Sequence, residues 1–193
     1  MKSSIVFKIH FSTVYLQKKF MKRTLSLLTI GLMSHIAFGQ TTMKQYTVGH
    51  PIYISIPDYM NRTMDLNDDA MFQFQSEVKD VYGYVIEDNK EELKIAQMNF
   101  SSVNEFYDKF IKSFVEGEEK VKQSPPVSQK KGDINFIEAD VSFYSKEAKT
   151  EIYYFIGIVE TKTAYYKLLC YCSLENKAKF KADFQKILYS LRD

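Results

Sequence analysis

Histidine, cysteine, glycine and tryptophan are all scarce in this chain, and each shortage closes off some chemistry. The 193 residues hold three His, two Cys, seven Gly and no Trp. Of the histidines, His10 and His35 fall in the first 39 residues and only His50 lies beyond them. His50 sits in Gly49-His50-Pro51, a turn composition, and reads as an exposed turn residue. A triad built on it needs an activated nucleophile, yet no G-x-S-x-G elbow or similar motif occurs. Neither H-E-x-x-H nor a Cys/His zinc spacing is present, so no metal site is expected. None of the glycines forms a G-x-G-x-x-G or Walker pattern, which excludes nucleotide binding by those routes. The expectation is no catalytic residue and no cofactor.

Charge is unevenly placed. Six of the 26 Lys and Arg fall in residues 1–39 together with no Asp or Glu, so 20 basic residues face 24 acidic ones and the remainder carries a net charge of −4. A mildly acidic domain gives no electrostatic reason to expect nucleic acid or an anionic membrane as partner.

The basic start has the parts of a secretory leader. Lys22 and Arg23 precede a mostly apolar run from Leu25 to Phe38, and Ala37-Phe38-Gly39 sets small residues at −3 and −1 before Gln40. The run is shorter than the ~20 residues that span a bilayer, and no Cys stands at the cleavage site, so a retained anchor or lipoprotein is not expected. Residues 1–39 are therefore read as a leader cleaved between Gly39 and Gln40, and 40–193 as a single exported domain, periplasmic or secreted. Met21 stands directly ahead of a complete signal and is an alternative start.

Beyond Gln40, period-two alternation marks strands. Ile52, Ile54 and Ile56 alternate with Tyr53 and Ser55 until Pro57; Phe72, Phe74 and Val78 alternate with Gln73, Gln75 and Glu77. Tyr82, Tyr84 and Ile86 follow, and Ile137, Ala139, Val141 and Phe143 alternate with Glu138, Asp140 and Ser142. Ile152 to Val159 and Ala164 to Cys172 are apolar on both faces apart from Lys167, so they belong in the sheet centre. The short links at Ser145–Lys149 and Glu160–Thr163 force antiparallel neighbours.

Two helices follow from stripes of apolar residues. One runs through Val103, Phe106, Tyr107, Phe110, Phe114 and Val115, with Ser102 and Glu105 as a capping box and Gly117 as its stop. The other runs through Phe180, Phe184, Ile187, Leu188 and Leu191, with Asn176 as N-cap. A weaker pattern covers Asn89–Gln97. Glu116 to Gly132, charged and bearing Pro125-Pro126, reads as a long mobile loop. The fold class is α+β: an antiparallel sheet of about 5–7 strands covered by helices.

Several features together carry a resemblance. An opening hairpin ends in Ile54-Ser55-Ile56-Pro57-Asp58-Tyr59-Met60, and aromatic strands and a helix after Phe100-Ser101-Ser102 follow. Strands bearing Tyr153-Tyr154 and Tyr165-Tyr166 come next, and a closing helix ends Leu188-Tyr189-Ser190-Leu191-Arg192. In order and spacing, residues 46–192 resemble the PsbP-like superfamily, named for an extrinsic photosystem II subunit and including small exported bacterial proteins of unassigned role. The resemblance implies an α/β/α sandwich used as a non-enzymatic binding or assembly module. It transfers no motif of functional residues.

Two local features invite chemistry and have plainer readings. Cys170 and Cys172 share a strand face, but their Cα atoms stand ~6.6–6.8 Å apart in an extended strand, at the limit for a disulfide, and they read as small buried hydrophobes. Asp65-Leu66-Asn67-Asp68-Asp69 opens like a calcium loop, but Ala70 and Ser76 replace the Gly and bidentate Glu that such a loop needs. Two functional readings remain. One is an exported binding or assembly module that engages an envelope or secreted protein through the Tyr-rich sheet, the acidic loop or segment 116–132. The other is a carrier of a small apolar ligand, with the aromatics of 152–159 and 164–172 lining a cavity.

Overall fold

The computed structural model describes Thr41–Gly49 and Ile52–Asp193. The expected leader, its cleavage point, the alternative start at Met21, His50 and Pro51 lie outside the described residues. Ile52–Pro57 forms β2 and pairs antiparallel with β1 (Met43–Val48); Ile52, Ile54 and Ile56 are buried. The remaining strands are β3 (Asn61–Thr63), β4 (Phe72–Ser76), β5 (Val81–Asn89), β6 (Glu119–Gln123), β7 (Val127–Lys131), β8 (Ile134–Ser145), β9 (Thr150–Glu160) and β10 (Ala164–Ser173). They make one antiparallel sheet of eight strands in the order β3-β4-β5-β10-β9-β8-β6, with β7 also paired to β8. The α-helices among the described residues are α1 (Lys90–Ile95), α2 (Val103–Phe114) and α3 (Lys177–Ser190).

Helices cover the sheet on both faces, as an α/β/α sandwich. On one face α3 and the β1–β2 hairpin bury Phe72, Phe74, Phe155, Phe180, Phe184 and Leu188. On the other, Phe106, Tyr107 and Ile111 of α2 cover Ile137, Ile156 and Leu169. Each such side chain contributes roughly 1.5–3 kcal/mol before chain entropy is set against it. β9 and β10 occupy the centre, covered on both sides as their two-faced apolar pattern requires. Among the described residues no helix is long and apolar enough to cross a membrane.

Local details differ from the sequence reading in four places. Segment 116–132 is not a loop. It supplies β6 and β7, laid end to end along β8 and joined across Pro125-Pro126, where Ser124 N–H donates to Asp140 O (2.9 Å) and Asp140 N–H to Ser124 Oγ (2.9 Å). Both strands are exposed on both faces and held by backbone bonds, so the apolar alternation that marks a strand is absent. Val78 does not continue β4; a 3-10 turn at Glu77–Lys79 leaves it 99% exposed. Ser102 Oγ accepts from Glu105 N–H (3.2 Å) as a cap should, but Glu105 reaches back to Ser101, and α2 ends at Phe114. Gly117, at φ +81°, serves the turn beyond, which Glu118 N–H closes on Val115 O (3.2 Å). Asn176 caps nothing, because a 3-10 turn at Leu174–Asn176 leads straight into α3 and its amide donates to Ser173 Oγ (2.8 Å).

Candidate functional site

The α2 face of the sheet carries a row of aromatic rings running across four strands. Register sets Tyr171 of β10 opposite both Tyr154 of β9 and Tyr82 of β5. Ring centroids are 5.3 Å apart for Phe143–Tyr154, 5.1 Å for Tyr154–Tyr171 and 5.1 Å for Tyr171–Tyr82, each pair stacked. These spacings follow the inter-strand repeat of about 4.8 Å. Tyr84 meets Tyr171 edge-on at 6.4 Å. Because the faces stack on one another, the rings turn their edges and hydroxyls away from the sheet. Phe114 at the end of α2 closes over Tyr154 (5.1 Å, edge-on). Beyond it, among the described residues, the rings of Tyr82 and Tyr84 meet no other ring than that of Tyr171, and Tyr82, Tyr84, Tyr154 and Tyr171 are half-buried. Next to Phe114, Phe143 and Tyr154 lies an open concavity of about 720 Å³, rimmed by Glu118, Glu147 and the ion pair of Glu119 with Lys146 (2.9 Å).

Acidic groups border this row. Tyr82 donates to Asp80 Oδ1 (3.1 Å), and Gln75 to Glu77 Oε1 (3.0 Å). Burial, with the neighbouring Tyr84, Tyr82 and Asp80, pushes the Tyr171 hydroxyl up to about 12. Burial also raises Tyr154, with Tyr84, Tyr171 and Glu118 adding to it, and raises Tyr82 and Tyr84. The row stays uncharged at any physiological pH. It offers apolar ring edges and neutral hydroxyls inside a negative border.

The opposite face holds most of the buried charge, and all of it is satisfied. Glu138, Asp140 and Ser142, the polar half of the β8 alternation, lie on the α3 side. Glu138 accepts from Gln185 (2.7 Å) and Tyr189 (2.8 Å). Asp140 accepts from Tyr153 on one oxygen (2.7 Å) and from Lys181 (2.7 Å) and Lys177 (2.9 Å) on the other. Burial works to raise the Asp140 carboxyl, but the hydrogen bonds from Lys181, Lys177 and Tyr153 outweigh it and hold the group below the usual carboxylate range. Asp183 is shared among Thr41 (3.0 Å), Tyr59 (2.9 Å) and Lys186 (2.8 Å). With every carboxylate oxygen engaged, the seam fastens α3 to β8 and to the N-terminal segment and leaves no free base.

The sequence candidates take modest places. Cys170 and Cys172 are buried free thiols on one face; burial, with Cys172 nearby, raises Cys170, and burial with Asp80 pushes Cys172 up to about 12. In the acidic loop, Gln73 Oε1 accepts from the amides of Leu66 (2.7 Å) and Asn67 (3.0 Å), while Asn67 Oδ1 accepts from Asp69 N–H (2.9 Å). The loop is pinned by a buried glutamine, and among the described residues no cluster of three His, Cys, Asp or Glu is placed to hold a metal. The aromatics proposed to line a ligand cavity divide between the two cores: Tyr153 and Phe155 pack beneath α3 and Tyr165 stacks on Phe106 (4.3 Å). The Glu138–Asp140 seam escaped the sequence reading because its α3 partners stand 37–51 residues away. The i, i+4 pair Lys177 and Lys181 was the available signal.

No protein-family model matches this chain, and no curated protein does. Among solved structures, a cyanobacterial PsbP from Synechocystis sp. PCC 6803 is similar at a TM-score of 0.59 with 8% identity, over 81% of this chain and 95% of that one. A Pseudomonas aeruginosa protein of unknown function, PA94, aligns at 0.49 with 8% identity over 78% and 96% of the two chains. LpqN of Mycobacterium tuberculosis, involved in cell envelope biogenesis, aligns at 0.48 with 9% identity over 81% and 93%. The likeness to the cyanobacterial protein is one of fold, and at that level this chain is PsbP-like.

Proposed function

We propose that the protein acts outside the cytoplasm as a non-enzymatic binding or assembly module, and that it docks an envelope or secreted protein through the tyrosine row. The half-buried row itself carries this reading. Tyr82, Tyr84, Tyr154 and Tyr171 stand half-buried in mutual contact where α2 ends. Tyrosine suits such a surface because its ring is apolar, its hydroxyl bonds to a partner, and stacking has already removed its rotamer freedom. The acidic border of Asp80, Glu77 and Glu118 favours a partner with basic residues around an apolar centre. A non-enzymatic role is supported by the saturated carboxylates of the α3 seam and by thiols that burial keeps protonated. Export is supported by the leader pattern of residues 1–39. The pinned acidic loop and the paired 116–132 segment have less to offer a partner than the row does.

The test is a double variant, Tyr82→Ser with Tyr171→Ser, compared with the native protein for retention of envelope proteins on an affinity matrix. Loss of at least about tenfold in retention, with an unchanged circular dichroism spectrum, is expected for two interface tyrosines. Equal retention by a folded double variant removes the row from the interaction. Mass spectrometry of the exported protein should give a chain starting at Gln40.

A further inference from the structure

On the far side of the fold from the tyrosine row, a groove of about 270 Å³ separates the β1–β2 hairpin from the β7–β8 hairpin, with the end of α3 as its base. Chain geometry fixes one wall. Tyr53 N–H donates to Arg192 O (2.8 Å) and Arg192 N–H to Tyr53 O (3.1 Å), and the guanidinium lies 5.3 Å from the Tyr53 ring centroid. Ser55 N–H donates to Ser190 Oγ (2.8 Å), tying the same hairpin to the helix end. Arg192 is therefore held by backbone pairing and by stacking. Lys131 stands at the groove from the end of β7. Its apolar lining is Ile134, with Phe136 and Leu191 each 1% exposed, beside the polar Gln45, Ser55 and Ser190.

Among the described residues no carboxylate forms an ion pair with Lys131 or Arg192. Glu138 accepts from Tyr189 and Gln185, and the Asp193 side chain accepts from Thr163 (2.8 Å). Two positive groups beside this apolar lining, in a space equal to about nine waters of liquid, match one kind of ligand. We propose that this groove binds a small organic carboxylate with an apolar body, its head on Arg192 and Lys131 and its body on Ile134, Phe136 and Leu191. The planar guanidinium fork fits a carboxylate edge, and Lys131 adds a point charge. A bare inorganic anion leaves the apolar lining unused, and an uncharged amphiphile leaves both cations unused. The proposal goes beyond the docking role and concerns different residues.

Sodium octanoate is the probe, titrated into the purified protein by calorimetry and followed by amide chemical shifts, with acetate and octan-1-ol as controls. Saturable one-site binding of octanoate is expected, with shifts at Ser55, Tyr189 and Arg192 and binding of both controls at least about tenfold weaker. The double variant Lys131→Gln with Arg192→Gln, both exposed positions, should keep its thermal midpoint and lose affinity at least about tenfold, as expected for charge-assisted contacts. Absence of saturable octanoate binding overturns the proposal. So does octanoate binding that is undiminished in the double variant, equal to that of octan-1-ol, or mapped to Tyr82 and Tyr171. None of these results bears on retention of an envelope protein by the row, so the two readings fail separately.

Discussion

Replacing Asp140 by Asn should expose how much the α3 seam stabilises the fold, and the effect should fade in acid. Three donors converge on this carboxylate: Tyr153 at 2.7 Å, Lys181 at 2.7 Å and Lys177 at 2.9 Å. The carboxylate side chain is 14% exposed, whereas the two lysines are 38% and 37% exposed. In the variant the lysines regain water and recover much of what they lose, so their share is discounted as for partly exposed pairs. Tyr153 is 0% exposed, and its hydroxyl keeps only a neutral acceptor. Losing one charge-assisted bond in full and two in part amounts to about 2–3 kcal/mol near neutral pH. The folded protein holds the Asp140 carboxyl below its ordinary value, so the folded state binds that proton more weakly than the unfolded chain. Its contribution is complete above the unfolded value of about 4 and is lost as pH falls through the lower folded one. Urea unfolding followed by circular dichroism at pH 7 should show a midpoint lower by about 1 M, for a slope of about 2 kcal/mol/M. As pH falls through the folded value, below the ordinary carboxylate range, the difference between the native protein and the variant should shrink. A difference under about 0.5 kcal/mol at pH 7, or one that persists undiminished in acid, refutes the reasoning.

Two further perturbations test other parts of the fold. Gly157 lies under α3, where an added Cβ sits 2.5 Å from Leu188 Cδ1, so Gly157→Ala should lower stability by about 1–3 kcal/mol in the same urea assay; an unchanged midpoint means that Leu188 has room to yield. Cys170 and Cys172 should resist a disulfide reagent such as Ellman's at pH 8 in the folded protein and react fully in denaturant, because both are buried and protonated; rapid stoichiometric labelling of the native state contradicts their burial.

What could be read without coordinates was whatever leaves a periodic apolar trace. Phe180, Phe184, Ile187 and Leu188 face one way because α3 must bury them, and β9 and β10 are apolar on both faces because helices cover both. β6 and β7 bury no side chains, so nothing in their composition separates an edge strand from a loop; backbone pairing to β8 and a few polar contacts such as Gln123 to Tyr107 (2.8 Å) hold them. Val78 kept the alternation of β4 by coincidence, and the turn ending at Asp80 with φ +51° moved it into solvent. The polar alternation of Glu138, Asp140 and Ser142 was visible, but only the fold brings Lys177, Lys181, Gln185 and Tyr189 over it. The tyrosine row was half legible. Each strand announced its tyrosines, while the register that stacks Tyr82 on Tyr171 depends on a pairing of β5 with β10 across 89 residues of chain, which no local pattern reveals.

Site-specific photo-crosslinking in cells that export the protein addresses the docking role most directly. A benzophenone amino acid placed at 82 or 171, in the row, is compared with the same group at 95, on exposed α1, and at 131, beside the groove. A discrete adduct with one envelope or secreted protein from 82 and 171, and from neither control position, is the expected result. Adducts from positions 95 and 131 with none from the row contradict it.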